Sequence, residues 1–377
     1  MNASIAPRRP ATSCEFCPYV LPCGGLDGNG DLFGCFHCVG RSPCPPDAAC
    51  PSCNWEAFVE MGEEIGWFDF DPKTPLTPFT TGLPSYIPKQ LHTSNRSRRA
   101  ALGWVAVSLG SLFKLDRSRR DYLPRYQSLK SARSGLRVDS RTQIFVCSAT
   151  HDAEIELFWE YHRKNDTSGR LREMGVVGAT TPNYSYFTDS PRPAALRNRK
   201  RILLTAERFG EAQVPTILHL NAHTDADWRG WAEILKHQPQ MAVVAKEFQT
   251  GNKDVERGRH AWDCLSELEQ QVGRSLHVVA IGAAQFLPYA ATRVSGITLV
   301  DSAPFMKTMM RQLCVTDRTG DISWIQHPTD LGDSLDGLLE SNVRSYARWV
   351  ERTLLLARPV GGANGQLPLP FEWLRAG

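Results

Sequence analysis

The sequence predicts an α/β protein, a (βα)8 TIM-type barrel with an N-terminal cysteine-rich metal-binding module. Two observations support this prediction. Short apolar segments alternate with longer amphipathic segments through most of the 377 residues, a pattern typical of a parallel sheet covered by helices. In addition, most of the 11 cysteines lie between residues 14 and 53, in a region with little apolar periodicity.

The apolar segments are the candidate strands, and there are as many of them as a closed (βα)8 barrel needs. They are expected at Trp104 to Leu109, Gln143 to Ser148, Gly175 to Thr180, Pro215 to Asn221, Met241 to Glu247, Leu276 to Gly282, Ile297 to Asp301 and Asp321 to Gln326. Helices are expected near residues 117–132, 152–163, 193–210, 226–237, 254–272, 285–293, 304–313 and 335–357. A second assignment shifts the count by one, with the first strand near Leu83 to Pro88 and residues 314–333 outside the barrel.

Composition divides the chain into three regions. Residues 1–60 are expected to form the cysteine-rich module, residues 61–99 a linker and barrel entry, and residues 100–377 the barrel. With 42% hydrophobic and 22% charged residues, the chain is typical of folded globular proteins and not of disordered ones. No apolar segment approaches the roughly 20 residues of a membrane-spanning helix. No apolar leader follows Met1, so we expect a cytoplasmic protein without a membrane partner.

The N-terminal cysteines follow a repeated spacing of Cys-x-x-Cys pairs, two of which are followed by a further cysteine. Such pairs present two thiolates to one ion, so this set can complete two tetrahedral zinc sites or two [4Fe-4S] clusters. A reducing cytosol disfavours the alternative of disulfides. We expect zinc, with iron–sulfur clusters as the alternative. The predicted ligands are Cys14, Cys17, Cys23, Cys35, Cys38, Cys44, Cys50 and Cys53.

Positive charge is concentrated in residues 96–141, where Lys and Arg far outnumber Asp and Glu. Such a block can neutralise the phosphates of a nucleic acid. The expected contacts are Arg117, Arg119, Arg120, Arg125, Lys130 and Arg133. The alternative is a solvated helix face near the start of the barrel.

Polar and aromatic side chains follow five of the predicted strands. The carboxyl ends of the strands form the active-site face of a (βα)8 barrel, so these residues are expected to converge. They are Asn183, Tyr184, His219, Asn221, Glu247, Phe248, Gln249, Gln285, Phe286, Asp301 and Ser302. One polar strand end is usually a solvated turn, and one aromatic residue usually belongs to the core. It is their convergence on one face that predicts an enzyme.

Two neighbouring strands resemble a known family. The first, His277–Gly282, ends in glycine, and the next, Gly296–Pro304, contains Asp301 and precedes Arg311. This order resembles the tRNA-guanine transglycosylases and their DNA-modifying relatives, in which the aspartate at the end of the later strand is the nucleophile. Glu340–Arg352 is similar to the closing helix of that family. Thr181–Ser185, with Asp189–Pro191, resembles phage-associated barrels of the same superfamily.

The resemblance implies a pentosyltransferase-like enzyme that exchanges guanine or a 7-deazaguanine base in tRNA or DNA, or on a protein acceptor, in a modification or antiviral defence pathway. Asp301 would attack the sugar C1′, and Glu247, or else His219, would handle the proton of the leaving base. The expected base contacts are Asn183, Tyr184, Asn221, Phe248, Gln249, Gln285, Phe286 and Ser302.

The sequence departs from that family in two places. Ser108–Phe113 stands where the family has a catalytic aspartate followed by glycines, and it contains no carboxylate. No cysteine follows Cys314, whereas the zinc site of the family lies after the last barrel strand. Two alternatives are therefore kept: an iron–sulfur redox enzyme acting on a deazaguanine-related substrate, and an inactive barrel that binds nucleic acid or protein.

Overall fold

The structure is a computed structural model that describes residues 60, 62–68, 70–116, 118, 121–162, 164–186, 192–222, 224–330 and 332–357. The predicted metal-binding cysteines lie outside the described residues, as do Arg117, Arg119 and Arg120.

The described residues contain strands and helices in the alternating order that the sequence predicts. The strands are β1 (Tyr86–Pro88), β2 (Trp104–Val107), β3 (Phe113–Asp116), β4 (Asp121–Pro124), β5 (Gln143–Val146), β6 (Gly178–Thr180), β7 (Thr216–His219), β8 (Val243–Glu247), β9 (His277–Ile281), β10 (Gly296–Asp301), β11 (Gln312–Thr316) and β12 (Ile322–Gln326). The helices are α1 (Leu109–Leu112), α2 (Leu129–Gly135), α3 (Asp152–Tyr161), α4 (Thr167–Glu173), α5 (Arg192–Glu211), α6 (Asp225–His237), α7 (Val255–Val272), α8 (Leu287–Ala290), α9 (Ala303–Met309) and α10 (Asp336–Ala357).

Eight parallel strands form one barrel-like sheet in the order β1-β10-β9-β8-β7-β6-β5-β2. The sheet closes next to β1, because the backbone N–H of Lys89 donates to Asp301 O at 2.9 Å while that of Gln90 donates to Ala106 O at 2.9 Å. The register shift of the barrel can be found by starting at Lys89 and moving from each residue to its partner on the next strand. After all eight strands this path returns to the first one at residue 81, which is a shift of eight residues. This is the shear of TIM barrels. The predicted α/β barrel is therefore confirmed at the level of the parallel sheet.

One predicted strand and one predicted helix are wrong. Residues 321–326, expected as the eighth barrel strand, pair with β11 in an antiparallel hairpin. The second assignment, with a first strand near Leu83 to Pro88, matches β1. Residues 117–132 contain β4 and only the beginning of α2, because Phe113 and Tyr122 stack at 5.2 Å across a β3–β4 hairpin. Packing of these two rings outweighs the helical pattern of the sequence.

The amino-terminal end of the barrel is filled by the segment before β1. Phe79 packs edge-on against Phe145 of β5, with ring centroids 6.2 Å apart, and Leu83 joins the same interior cluster. At this end His277 hydrogen-bonds Thr298 at 2.8 Å, and Thr298 donates to Pro84 O at 2.6 Å. The carboxyl ends of the strands are therefore left as the face on which an active site can form.

A buried ion pair connects the segment after β1 to the first turn of α10. Arg96 Nε lies 2.9 Å from Asp336 Oδ1, and both side chains are fully buried. Asp336 Oδ2 also accepts from the backbone N–H groups of Ser97 and Arg98, both at 2.8 Å. Burial alone would raise the pKa of Asp336, but hydrogen bonds from Ser334, Arg98 N, Arg96 and Ser97 N lower it to about 2.

Replacing this carboxylate, Asp336→Asn, is expected to lower the free energy of unfolding at pH 7 by about 3 kcal/mol, because Arg96 would then be buried without its counter-charge. The folded pKa of Asp336 lies below its unfolded value, so its contribution is present above about pH 4 and is lost as the pH falls towards 2. The difference in free energy of unfolding between wild type and variant, measured by urea unfolding, should therefore become smaller as the pH is lowered from 7 to 3. The matched control is Asp321→Asn, an exposed aspartate; an equal loss of stability in both variants would contradict this account.

Candidate active site at the barrel mouth

The mouth of the barrel is defined here as the carboxyl ends of its eight strands. The pairing register determines which side chains at the mouth point into the barrel and which point outwards. In a barrel with this shear, alternate strands contribute inward side chains to each layer of four. The register assigns Lys89, Cys147, His219 and Ile281 to one inward layer, called here the lysine–histidine layer. The rim layer above it consists of Ser108, Pro182, Glu247 and Ser302, and the floor layer below it of Ala106, Thr180, Ala245 and Val300.

Asp301 lies at the end of β10, where the sequence predicts a nucleophile, but on the outer side of the strand. Its neighbour Val300 belongs to the barrel interior, and Asp301 contacts Tyr346 of α10. Oδ1 accepts from Ala303 N at 2.6 Å in the first turn of α9, and Oδ2 accepts a longer bond of 3.4 Å from the Tyr346 hydroxyl. Burial raises the pKa of Asp301, although these bonds and the charge of Lys89 act to lower it.

Glu247 is the carboxylate that the register directs inward, and it is buried. One carboxylate oxygen accepts from Gln249 N, and Oε2 accepts from Thr250 Oγ1 at 2.9 Å. The carboxylate is thus oriented by its own loop. It can still accept further hydrogen bonds, since an ionised carboxylate has about four acceptor positions.

His219, in the lysine–histidine layer, is 1% exposed. Among the described residues, neither Nδ1 nor Nε2 has a hydrogen-bond partner. Burial, followed by the charge of Lys246, lowers the pKa of His219 to about 3, although an interaction with the Asn221 side chain acts to raise it. The imidazole is therefore neutral at physiological pH, which argues against a role as a general acid in the free protein.

Lys246 lies on the outer side of β8, between the sheet and the helices. Its Nζ donates to Leu220 O at 3.1 Å and lies 5.4 Å from the centre of the Trp228 ring. Burial lowers the pKa of Lys246 to about 8, with Glu247, Cys264 and Asp227 acting to raise it.

Lys89 is a site residue that the sequence analysis missed. It is buried in the lysine–histidine layer, and Nζ donates to Ala149 O at 2.8 Å. The signal was the second strand assignment, because Lys89 directly follows the segment Leu83 to Pro88. Inspecting that strand end as the others were inspected would have found it.

The predicted aromatic contacts lie in the core, away from the lysine–histidine layer. Tyr184 is fully buried, 3.9 Å from the Arg201 guanidinium, and its hydroxyl hydrogen-bonds Thr205. Phe248 stacks on Trp262 at 4.8 Å and contacts Phe286 at 5.7 Å, both rings being buried. In their present positions these rings are covered by protein.

The remaining predicted contacts lie around the mouth. Asn183 Oδ1 accepts from Thr150 N at 3.3 Å, and Asn221 Nδ2 donates to Tyr184 O at 2.6 Å. Gln285 Nε2 donates to Lys253 O at 2.8 Å, and the Gln249 side chain packs over Gly282. Gly282 has φ +69° and a Cβ there would meet Gln249, so glycine is needed at this strand end. Ser302 belongs to the rim layer and is partly exposed.

The described part of the predicted phosphate-binding block lies to one side of the mouth. Arg125 Nε donates to Phe113 O at 2.8 Å, Arg133 Nε donates to Thr142 O at 3.0 Å, and Lys130 is exposed. The β3–β4 hairpin runs along α3: Gly110 N, before it, contacts Glu154 in the first turn of that helix, and Asp121 contacts Asn165 beyond its last turn. The hairpin therefore extends away from the strand carboxyl ends.

Within the described ranges, no three His, Cys, Asp or Glu side chains cluster as a metal site would require, so the metal prediction rests on the N-terminal cysteines. In those same ranges, no helix is long and apolar enough to cross a membrane.

Comparison with known proteins does not assign this chain to a family. No protein-family model matches it, and no curated protein matches it.

The low pKa of Lys246 predicts a measurable pH dependence of stability. The unfolded chain retains the proton up to about pH 10.5, while the folded protein releases it near pH 8, so folding is favoured as the pH rises through this window. Lys246→Met has no such titration. Relative to this variant, the free energy of unfolding of wild type should rise by up to about 3 kcal/mol between pH 8 and pH 10.5. Chemical denaturation across this range checks the prediction. The exposed control Lys253→Met should follow wild type; a constant offset between wild type and Lys246→Met would contradict the assignment.

Proposed function

We propose that this protein is a transglycosylase-like enzyme that exchanges guanine or a 7-deazaguanine base in a nucleic acid at the barrel mouth. Asp301 is the nucleophile and Glu247 the proton-transfer group. The observation that carries the proposal is the placement of both carboxylates at the carboxyl ends of barrel strands, with buried Lys89 close enough to lower the pKa of Asp301. The resemblance around Asp301 supplies the substrate class.

The reaction proceeds in two displacements at the sugar C1′. A carboxylate oxygen of Asp301 attacks C1′, the bond from C1′ to N9 breaks, and its electron pair leaves with the base, which takes the proton of Glu247; Glu247 must therefore be protonated before this step and is a carboxylate after it. The incoming base then loses its N9 proton to the Glu247 carboxylate, attacks C1′ and releases Asp301. Each step conserves charge and protons, and no oxidant or reductant is consumed.

Asp301 has to turn to carry out this attack. Rotation about the Cα–Cβ bond away from α10 would break two hydrogen bonds, the weak 3.4 Å bond from Tyr346 to Oδ2 and the 2.6 Å bond from Ala303 N to Oδ1. The carboxylate must also be ionised. Because its pKa is raised, the rate should increase with pH until Asp301 is deprotonated.

The direct test is Asp301→Asn, which keeps an acceptor for Ala303 N and removes the nucleophile. Exchange of labelled guanine into tRNA and into duplex DNA should fall by about 10³-fold or more, and the covalent enzyme–nucleic acid adduct should disappear from denaturing gels. Asp321→Asn is the matched control and should exchange at the wild-type rate.

The variant Glu247→Gln distinguishes the role of Glu247 in proton transfer from that of Asp301 as the nucleophile. It should slow both displacements, with an adduct still detectable. If the adduct survives Asp301→Asn and disappears in Glu247→Gln, the inward carboxylate is the nucleophile and the present assignment of roles is overturned.

We also propose that the N-terminal cysteines bind two zinc ions in four-thiolate sites. The donor set supports this, because thiolates in Cys-x-x-Cys pairs are preferred zinc ligands and bound zinc would stabilise a segment with little apolar periodicity. The zinc would be structural and would take no part in base exchange.

Elemental analysis of the purified full chain should find about two zinc ions per chain, as the number of thiolates requires. Cys14→Ser should lose metal, whereas the buried Cys314→Ser, on β11, should retain the wild-type content. Iron with acid-labile sulfide and a brown colour would replace this proposal with the iron–sulfur alternative.

A further inference from the structure

The antiparallel hairpin of β11 and β12 is attached to α10 through its first strand. Asn342 of α10 lies at the edge of β11: its Oδ1 accepts from Cys314 N at 2.7 Å, and its Nδ2 donates to Gln312 O at 2.8 Å. The Trp324 ring of β12 packs 6.2 Å from the Tyr346 ring of the same helix, which fixes the hairpin further. β11 is therefore the strand next to α10, and β12 is the outer strand.

The pairing pattern determines which backbone groups of β12 point away from β11. His327 N donates to Arg311 O at 2.7 Å, and the pair Leu313–Ile325 lies two residues further along the same register. Hydrogen-bonded pairs alternate with non-hydrogen-bonded pairs in an antiparallel ladder, so every second residue of β12 directs its N–H and C=O outwards. These residues are Ile322, Trp324 and Gln326.

This outer edge has no hydrogen-bond partner among the described residues, and Ile325 beside it is 47% exposed. Proteins usually protect an open strand edge with charged side chains or proline. The β3–β4 hairpin has such protection, whereas β12, with the sequence Ile-Ser-Trp-Ile-Gln, has neither charge nor proline. The protecting residues of β3 and β4 are Lys114, Asp116, Asp121 and Pro124. The edge of β12 is therefore suited to pair with a further strand.

The strand that fits this edge is β12 of a second copy of the chain. In an antiparallel pair centred on Trp324, Ile322 lies opposite Gln326 of the copy, so every outward-facing backbone group of β12 is paired. The same register places Ile325 opposite Ser323 of the copy, a large side chain beside a small one. Because β12 contains no charged residue, pairing the strand with itself brings no like charges together.

We propose that the protein forms a two-fold symmetric dimer in which the outer edges of β12 pair and join the two hairpins into one sheet. Such pairing uses the same surface on both copies, so it closes at the dimer and does not propagate. Because β12 is the strand farther from α10, the two barrels lie on opposite sides of the new strand pair. The inference is independent of base exchange, since this surface lies outside the barrel mouth.

Sedimentation velocity of the full chain, with a reductant present to prevent disulfides, tests the proposal. Two five-residue strands bury less surface than the roughly 1,200 Å² at which stable interfaces begin, so the dimer should be weak, with a Kd in the micromolar range. Wild type should therefore change from monomer to dimer as its concentration rises from about 1 to about 200 µM.

The variant Gln326→Pro removes one outward N–H group and no hydrogen bond of the hairpin, because Gln326 N points away from β11. By symmetry the dimer loses two hydrogen bonds, so its Kd should rise about tenfold or more. Gln326→Ala is the matched control. It changes the same side chain but keeps the N–H group, and it should dimerise as wild type does.

Hydrogen exchange of wild type, followed by mass spectrometry, tests the same edge without a substitution. The Trp324 amide should exchange quickly in the monomer and slowly in the dimer, whereas the Cys314 amide, bound by Asn342, should be protected in both. A wild type that stays monomeric, a dimer that Gln326→Pro leaves unchanged, or assembly beyond two copies would each overturn the proposal. Protection of the Trp324 amide in the monomer would also overturn it, because the chain itself would then cover the edge.

Discussion

The candidate site depends on how the short strand β1 closes the barrel. Two backbone hydrogen bonds connect β10 and β2 through the residues that follow β1: Lys89 N donates to Asp301 O, and Gln90 N donates to Ala106 O. They complete a register shift of eight residues, which sets the layers of the interior. Arg96 binds both Gln90 Oε1 and Asp336, so the closing strand is connected to α10 as well.

That register separates the titratable residues of the mouth into two groups. Lys89, His219 and Glu247 are directed into the barrel, whereas Lys246 and Asp301 lie on the outer sides of their strands against helical residues. A shift of one residue in any strand would exchange these sides, since successive side chains of a strand point to opposite faces. The chemistry available at the mouth is therefore a consequence of the pairing register and not only of which residues end the strands.

Much of the fold could be predicted from the sequence, but the directions of the site residues could not. The apolar segments that became β7, β8, β9 and β10 marked their strands correctly because each consists mainly of apolar, largely β-branched residues. The same property hides direction: both faces of a barrel strand are buried, so the run has no alternation that would distinguish Val300 from Asp301. Lys89 was missed because β1 is only three residues long and ends in proline, which is a weak strand signal. The β3–β4 hairpin was missed because the sequence around it has a helical pattern. What stabilises the hairpin is the packing of the Phe113 ring on the Tyr122 ring, a contact that this pattern does not reveal.

The outer lysine also affects the inner histidine. Lys246 and His219 lie on adjacent strands but on opposite sides of the sheet, and the positive charge of Lys246 adds to burial in disfavouring a second positive charge on the imidazole. Burial and this charge together keep His219 neutral in the inward layer that it shares with Lys89.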